Sequence, residues 1–258
     1  MSDTSAVQRY DRLTLVFDNA DCVLGAAALG LAARGLGPLY AKDEDELVLL
    51  AREQRERIAA LVVPGLLPLE RLDAIWRRVG PLLPGGPAAV VVVAPPRERA
   101  RLRALCERGM RWVVFAPYDA SELHFAVAAA LSSANALEPR SGLRVPIRLP
   151  AQVSHAGATW SGETRNLSLG GAFVALREPP ALGAALAIEL PIGERLLRIA
   201  AVVAHRAGEP GASRGEPGMG LAFSGLAPLE LRVIEGFVRE RVDSFRLGPP
   251  SAALVARR

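Results

Sequence analysis

Two arginines four positions apart, Arg140 and Arg144, precede a cluster of Asn166, Ser168, Gly170 and Gly171 in the second half of the chain. Together these residues offer what a small anionic purine ligand needs. A guanidinium presents a planar fork of donors that can grip a phosphate or lie flat on a base. Asn and Ser can read the hydrogen-bonding edge of a guanine, and glycine lets backbone approach closely or adopt positive φ. Arg144 and Arg148 repeat the same spacing, so spacing alone does not choose the pair.

Other chemistries find little support. His124, His155 and His205 are scattered and form no ligand spacing, which leaves no metal site to assign. Cys22 and Cys106 lie in apolar helical contexts without a CxxC partner, as buried reduced thiols do. No nucleophile paired with a base and no Gly-rich phosphate loop with its lysine appears, so no catalytic residue is expected and the chain reads as a non-enzyme. The single lysine, Lys42, sits in an acidic loop.

A chain of 258 residues, half of them apolar, predicts two domains with separate cores. Residues 1–131 hold 16 basic and 16 acidic side chains, and residues 132–258 hold 15 and 11. The net charge of +4 therefore lies in the half that carries the arginine pair. That excess suits a small anion and is too dispersed for a nucleic-acid stripe. The opening Met-Ser-Asp-Thr-Ser has no leader character, and the strongest apolar run, Val90 to Val93, is too short to span a bilayer. A cytoplasmic protein without a membrane anchor is expected.

In the first half, continuous apolar runs at Leu13 to Phe17, Ala59 to Val63, Ala88 to Val93 and Trp112 to Phe115 alternate with helical periodicity over 21–34, 44–57, 68–83, 97–109 and 119–131. Runs without polar alternation predict a parallel sheet covered on both faces. With a second strand near Gly37 to Ala41, the pattern predicts a doubly wound α/β domain of flavodoxin-like order over residues 11–131. A short linker, 132–139, follows.

From Val145 the pattern changes to six short β-rich runs separated by turn residues, which predicts a compact antiparallel barrel. A Gly- and Pro-rich loop from Gly208 to Gly218 reads as a mobile surface hairpin. Leu231, Ile234, Val238, Val242 and Phe245 then follow helical spacing, giving an amphipathic helix that packs on the barrel or on a partner. The barrel and helix are expected over 140–245, with a disordered tail over 246–258.

Arg140-Ser-Gly-Leu-Arg144-Val-Pro, Asn166-Leu-Ser-Leu-Gly-Gly171-Ala-Phe-Val and Gly218-Met-Gly-Leu-Ala-Phe223 together resemble a PilZ domain, a family that binds cyclic di-GMP. The resemblance covers roughly residues 138 to 245. In that family the second arginine directly precedes the first strand, which selects Arg140 and Arg144 and leaves Arg148 on a solvated strand face. It implies a cyclic di-GMP site formed by Arg140, Arg144, Asn166, Ser168, Gly170 and Gly171, with no further cofactor. Asn166 stands where the family often has Asp, and it keeps an acceptor while losing a charge.

Read in register, the first domain resembles a response-regulator receiver whose chemistry is gone. Asp18 keeps one acidic position and Asn19 replaces another, while Pro64 stands at the phosphoacceptor, Ala94 at the hydroxyl and Ala116 at the lysine position. Asp18 and Asp21 are explained by loop solvation and helix capping without a ligand, and a Mg²⁺ held between them would have no phosphoryl group to serve. The resemblances imply a cyclic di-GMP effector that relays ligand binding to an unidentified signalling protein, with a phosphorylation-silent receiver as a docking or dimerisation module and a homodimer as one assembly. Closing the loop that bears the two arginines would then reorient the first domain. The competing reading is a protein-only adaptor that binds no nucleotide.

Overall fold

A computed structural model of the chain describes residues 10–18, 24, 30–32, 35–83, 85–95, 99–132, 143–208 and 216–247. Arg140, Asn19, Asp21, Cys22, most of the predicted first helix, nearly all of the 132–139 linker and residues 209–215 and 248–258 lie outside them. The chain divides into two compact units: Met1–Leu137 with Phe245–Arg258, and Glu138–Ser244.

The first unit is built on β1 (Leu13–Phe17), β2 (Gly37–Ala41), β3 (Ile58–Pro64), β4 (Val90–Ala94) and β5 (Trp112–Phe115), joined by α1 (Glu44–Glu53), α2 (Leu69–Val79), α3 (Arg99–Glu107) and, after β5, α4 (Ala120–Ser132). The strands are parallel in the order β2-β1-β3-β4-β5, the flavodoxin-like order that the alternation of runs predicts. β1 and β4 are buried along their whole length, which is why neither alternates.

Helix starts follow from side-chain acceptors. Asp43 accepts from the Asp45 and Glu46 amides at 3.0 and 2.9 Å, while Glu46 reaches back to the Lys42 amide at 2.9 Å. At α4, Asp119 accepts from the Ser121 and Glu122 amides and Glu122 accepts from the Asp119 amide at 3.2 Å. That reciprocal pair is a capping box.

The second unit is a closed antiparallel barrel of β6 (Val145–His155), β7 (Ala158–Ser168), β8 (Gly171–Ala175), β9 (Ala185–Ile192), β10 (Arg195–Ala207) and β11 (Gly218–Phe223), followed by α5 (Pro228–Asp243). Its interior is filled from alternate positions, Ile188, Leu190 and Ile192 of β9 and Leu197, Ile199, Ala201 and Val203 of β10 among them. α5 buries Ile234, Val238 and Val242, and the Arg241 guanidinium donates to the Pro146 carbonyl at 2.9 Å.

The helical periodicity carried Phe245 onto that apolar face, but α5 ends at Asp243. Phe245 belongs to the first unit, where its ring lies 4.9 Å from that of Phe125. The next residues are ordered as well. The Val113 amide donates to the Phe245 carbonyl at 2.8 Å and the Leu247 amide donates to the Arg111 carbonyl at 2.7 Å. Arg246 pairs with Trp112 as an isolated antiparallel bridge and lays its guanidinium over the indole. Leu247 enters the core of the α/β unit, 4% exposed. A tail beginning at Arg246 therefore needs correcting, since these residues cover the β5 edge, where unpaired backbone groups would otherwise face solvent.

Candidate functional site

The start of β6 and the end of β7 bring the ligand candidates together. Val145 pairs with Leu167 and Pro146 with Asn166, so Arg144, exposed and one residue upstream, enters beside the Ser168 end of β7. Asn166 sits at an irregularity. Against β8, Thr164 pairs with Val174 and Asn166 with Phe173, leaving Arg165 as an extra residue in β7. The β6–β7 ladder is shifted at the same level, between Pro146 and Leu149.

The bulge decides which way Asn166 faces. Thr164 and Val174 are buried in the barrel at 0% exposure, and a regular strand would send Asn166, two residues on, to the same side. Instead Asn166 lies across from Phe173, a partly exposed residue whose ring stacks on that of exposed His205 at 6.0 Å. One extra residue has placed Asn166 on the outer row of the strand. Its Oδ1 atom and the Thr164 hydroxyl are both buried without a hydrogen-bond partner.

Ser168 and Gly171 are used internally. Ser168 is 3% exposed and its hydroxyl donates to the Gly171 carbonyl at 3.1 Å, which ties the turn between β7 and β8. A Cβ on Gly171 would lie 2.0 Å from the Leu221 carbonyl oxygen, so the close approach of β8 and β11 requires glycine. Gly170 is exposed at the tip, and its carbonyl accepts from the Phe223 amide at 2.9 Å. Thus Arg144, Asn166 and Gly170 share one end of the barrel surface, while Ser168 and Gly171 shape it.

Sequence reasoning missed a row of charges beside this site. Arg165 donates through Nε to Glu216 at 2.7 Å, through Nη2 to the second Glu216 oxygen and through Nη1 to Glu163. Arg148 stands 3.9 Å from Glu163. The hydrogen bond from Arg165, with its charge and that of Arg148, holds the Glu216 carboxyl below its ordinary range, and Glu216 in turn raises Arg165.

In the first unit, Asp18, Pro64 and Ala94 lie at the C-terminal ends of β1, β3 and β4, and Ala116 follows β5. The loop after β3 packs directly on β4: a Cβ on Gly65 would lie 2.5 Å from that of Ala94. The Arg101 guanidinium donates to the Gly65 and Leu67 carbonyls. Asp18 accepts from the Leu24 amide at 3.3 Å with one oxygen, while the other is buried without a partner. Burial, and secondarily the Asp18 charge, pushes the Tyr40 and Tyr118 hydroxyls up. No cluster of three metal-ligating side chains occurs among the described residues.

No curated protein matches the chain. Among solved structures, the PilZ domain with c-di-GMP of YcgR from Escherichia coli is 20% identical, with 42% of this chain and 97% of that chain covered and a TM-score of 0.33. A response regulator receiver domain protein from Clostridium thermocellum is 19% identical over 48% of this chain and 96% of that chain, with a TM-score of 0.41. The Inhibitor of motility (MotI/DgrA) of Bacillus subtilis is 21% identical over 42% of this chain, with a TM-score of 0.35, and this chain spans 53% of its length. The family model described as PilZ domain matches residues 138–240, a stretch that contains both ligand motifs and all six barrel strands. Residues 138–240 of this chain are a PilZ domain.

Proposed function

We propose that the barrel binds cyclic di-GMP and that the chain is a non-enzymatic effector reporting that ligand to a protein partner. The observation that carries this reading is the placement of Asn166: a bulge puts it on the outer row of β7, beside the strand end where Arg144 enters, within a PilZ domain. Guanine presents two N–H donors on its Watson–Crick edge, and Asn Oδ1 is an acceptor. That atom is unpartnered and buried in the free chain, so turning outward to meet a donor relieves an unfavourable state. Arg144, with Arg140 four residues before it, supplies forked donors for phosphate oxygens and planar faces for the bases. Gly170 keeps the turn beside them open, while Ser168 and Gly171 hold the strand end in shape.

The receiver-like unit serves as a docking or dimerisation module and accepts no phosphoryl group. Pro64 has no nucleophile, Ala94 no hydroxyl and Ala116 no charge at the sheet ends where those groups would act. The loop after β3 is held shut on Ala94 and by Arg101.

Calorimetric titration of the full chain with cyclic di-GMP, with GTP and cyclic AMP as controls, tests the binding. Charge-assisted hydrogen bonds contribute about 1.5 to 3 kcal/mol each. An Arg140→Ala/Arg144→Ala variant should therefore bind at least ~100-fold more weakly. Wild-type affinity in a folded double variant, or no heat from the wild type at high ligand concentration, would sink the reading and leave the protein-only adaptor.

A further inference from the structure

The bulge at Arg165 gives up regular strand pairing, and a fold keeps such an irregularity where something holds it. Here the holder is the bulged residue's own side chain. Glu216 takes Arg165 with both carboxylate oxygens, Nε at 2.7 Å on one and Nη2 on the other, and Glu163 takes Nη1. The grip crosses strands: Glu163 pairs with Ala175 of β8, Ala175 pairs with Gly218 of β11, and Glu216 lies just before β11. A bidentate fork of this kind fixes orientation as well as distance. The two residues flanking Arg165 each keep a buried oxygen without a partner, so the local geometry is retained against a penalty.

We infer that Arg165 is a positioning residue for guanine recognition: clamped between Glu163 and Glu216, it holds the bulge that keeps Asn166 on the outer face of the barrel. This rests on the cyclic di-GMP reading above. If the clamp is released, the strand can return to regular pairing and carry Asn166 toward the interior, where Thr164 already faces. The discriminating acceptor is then lost, while Arg144 keeps its position one residue before β6. Guanine offers two donors to that acceptor, whereas the corresponding edge of adenine offers a ring acceptor and a single amine. The defect should therefore appear as lost preference for guanine over adenine.

The experiment is a calorimetric titration of the full chain with cyclic di-GMP and with cyclic di-AMP, in the wild type and in Arg165→Met, Arg165→Lys and Glu216→Gln, with the thermal midpoint of each recorded. Arg165→Met should lower the preference for cyclic di-GMP by about tenfold, the worth of one net hydrogen bond, with cyclic di-AMP affinity unchanged. Lysine carries the charge without the fork and should restore only part of the preference. Glu216→Gln changes a half-exposed carboxylate, preserves its shape and should act in the same direction even if Arg165→Met fails to fold. Equal loss for both nucleotides in the folded variants, tracking a lowered midpoint, would reduce the clamp to a stabilising ion pair and overturn the inference, as would an unchanged preference. A wild type that binds neither nucleotide overturns the function reading itself, and this inference with it.

Discussion

Leu247 provides a direct test of whether the end of the chain completes the α/β core. It is 4% exposed and packs in the same cluster as Val90, Val92 and Val113, although the sequence around it is Pro-, Ala- and Arg-rich. Leu247→Ala keeps the backbone bond to the Arg111 carbonyl and removes only side-chain packing. Lost transfer free energy and the residual cavity together cost about 2 to 4 kcal/mol for a buried leucine. For a unit of this size each kcal/mol lowers the midpoint by roughly 2 to 4 °C, so the unfolding transition of the first unit should fall by roughly 5 to 15 °C. Scanning calorimetry reads this, with Leu196→Ala, at 67% exposure, as a control that should leave the midpoint in place. A Leu247→Ala midpoint within about 1 °C of wild type, well under the shift expected for a buried leucine, would refute the placement of this segment at the β5 edge.

Gly171→Ala should destabilise the barrel by about 1 to 3 kcal/mol, the range for overpacking. All three nearest atoms to the added Cβ, at 2.0, 3.1 and 3.5 Å, are backbone of Leu221 and Ala222; chemical denaturation checks this, and a variant as stable as wild type would show that β8 and β11 have room to part. The Glu216 carboxyl is depressed in the folded state, chiefly by its hydrogen bond to Arg165, so its contribution is present above its unfolded pKa and is lost as pH falls through the folded one. Half-exposed and screened, it is worth about 0.5 kcal/mol; midpoints measured from pH 6 to pH 3 should fall less steeply for Glu216→Gln than for wild type, and parallel curves would deny the coupling.

Much of the architecture was legible because burial writes itself into periodicity. Val90 to Val93 shows no alternation because β4 is covered on both faces, and that marks a parallel sheet. Along β9 the alternation of exposed and buried positions marks a barrel wall. The failures share a physical cause. Phe245 continues the helical spacing of Val238 and Val242, and periodicity cannot report that the backbone turns at Ser244. Leu247 stands between Arg246 and Gly248-Pro-Pro250, without a repeat to signal its burial. The bulge is equally silent. Thr164 is a polar residue facing inward, so Glu163-Thr164-Arg165-Asn166 reads as an unbroken polar run that hides the change of phase at Arg165. Glu216, fifty-one residues from Arg165, carries no local sign of its partner.

These details divide the ligand motif by physical role. Spacing alone presents Asn166, Ser168 and Gly171 as equivalent, yet the strand end demands different things of each. Gly171 is required by the backbone of β11, and Ser168 is required by the turn, whose geometry its hydroxyl fixes through the Gly171 carbonyl. Asn166 alone of the three bears a side-chain polar atom for which the barrel provides no partner. Under the proposed function, the polar group that serves no structural bond in the resting fold is the part of the motif that meets the ligand. The other two fix the strand end from which it acts, and the Glu163–Arg165–Glu216 clamp determines the direction in which it points.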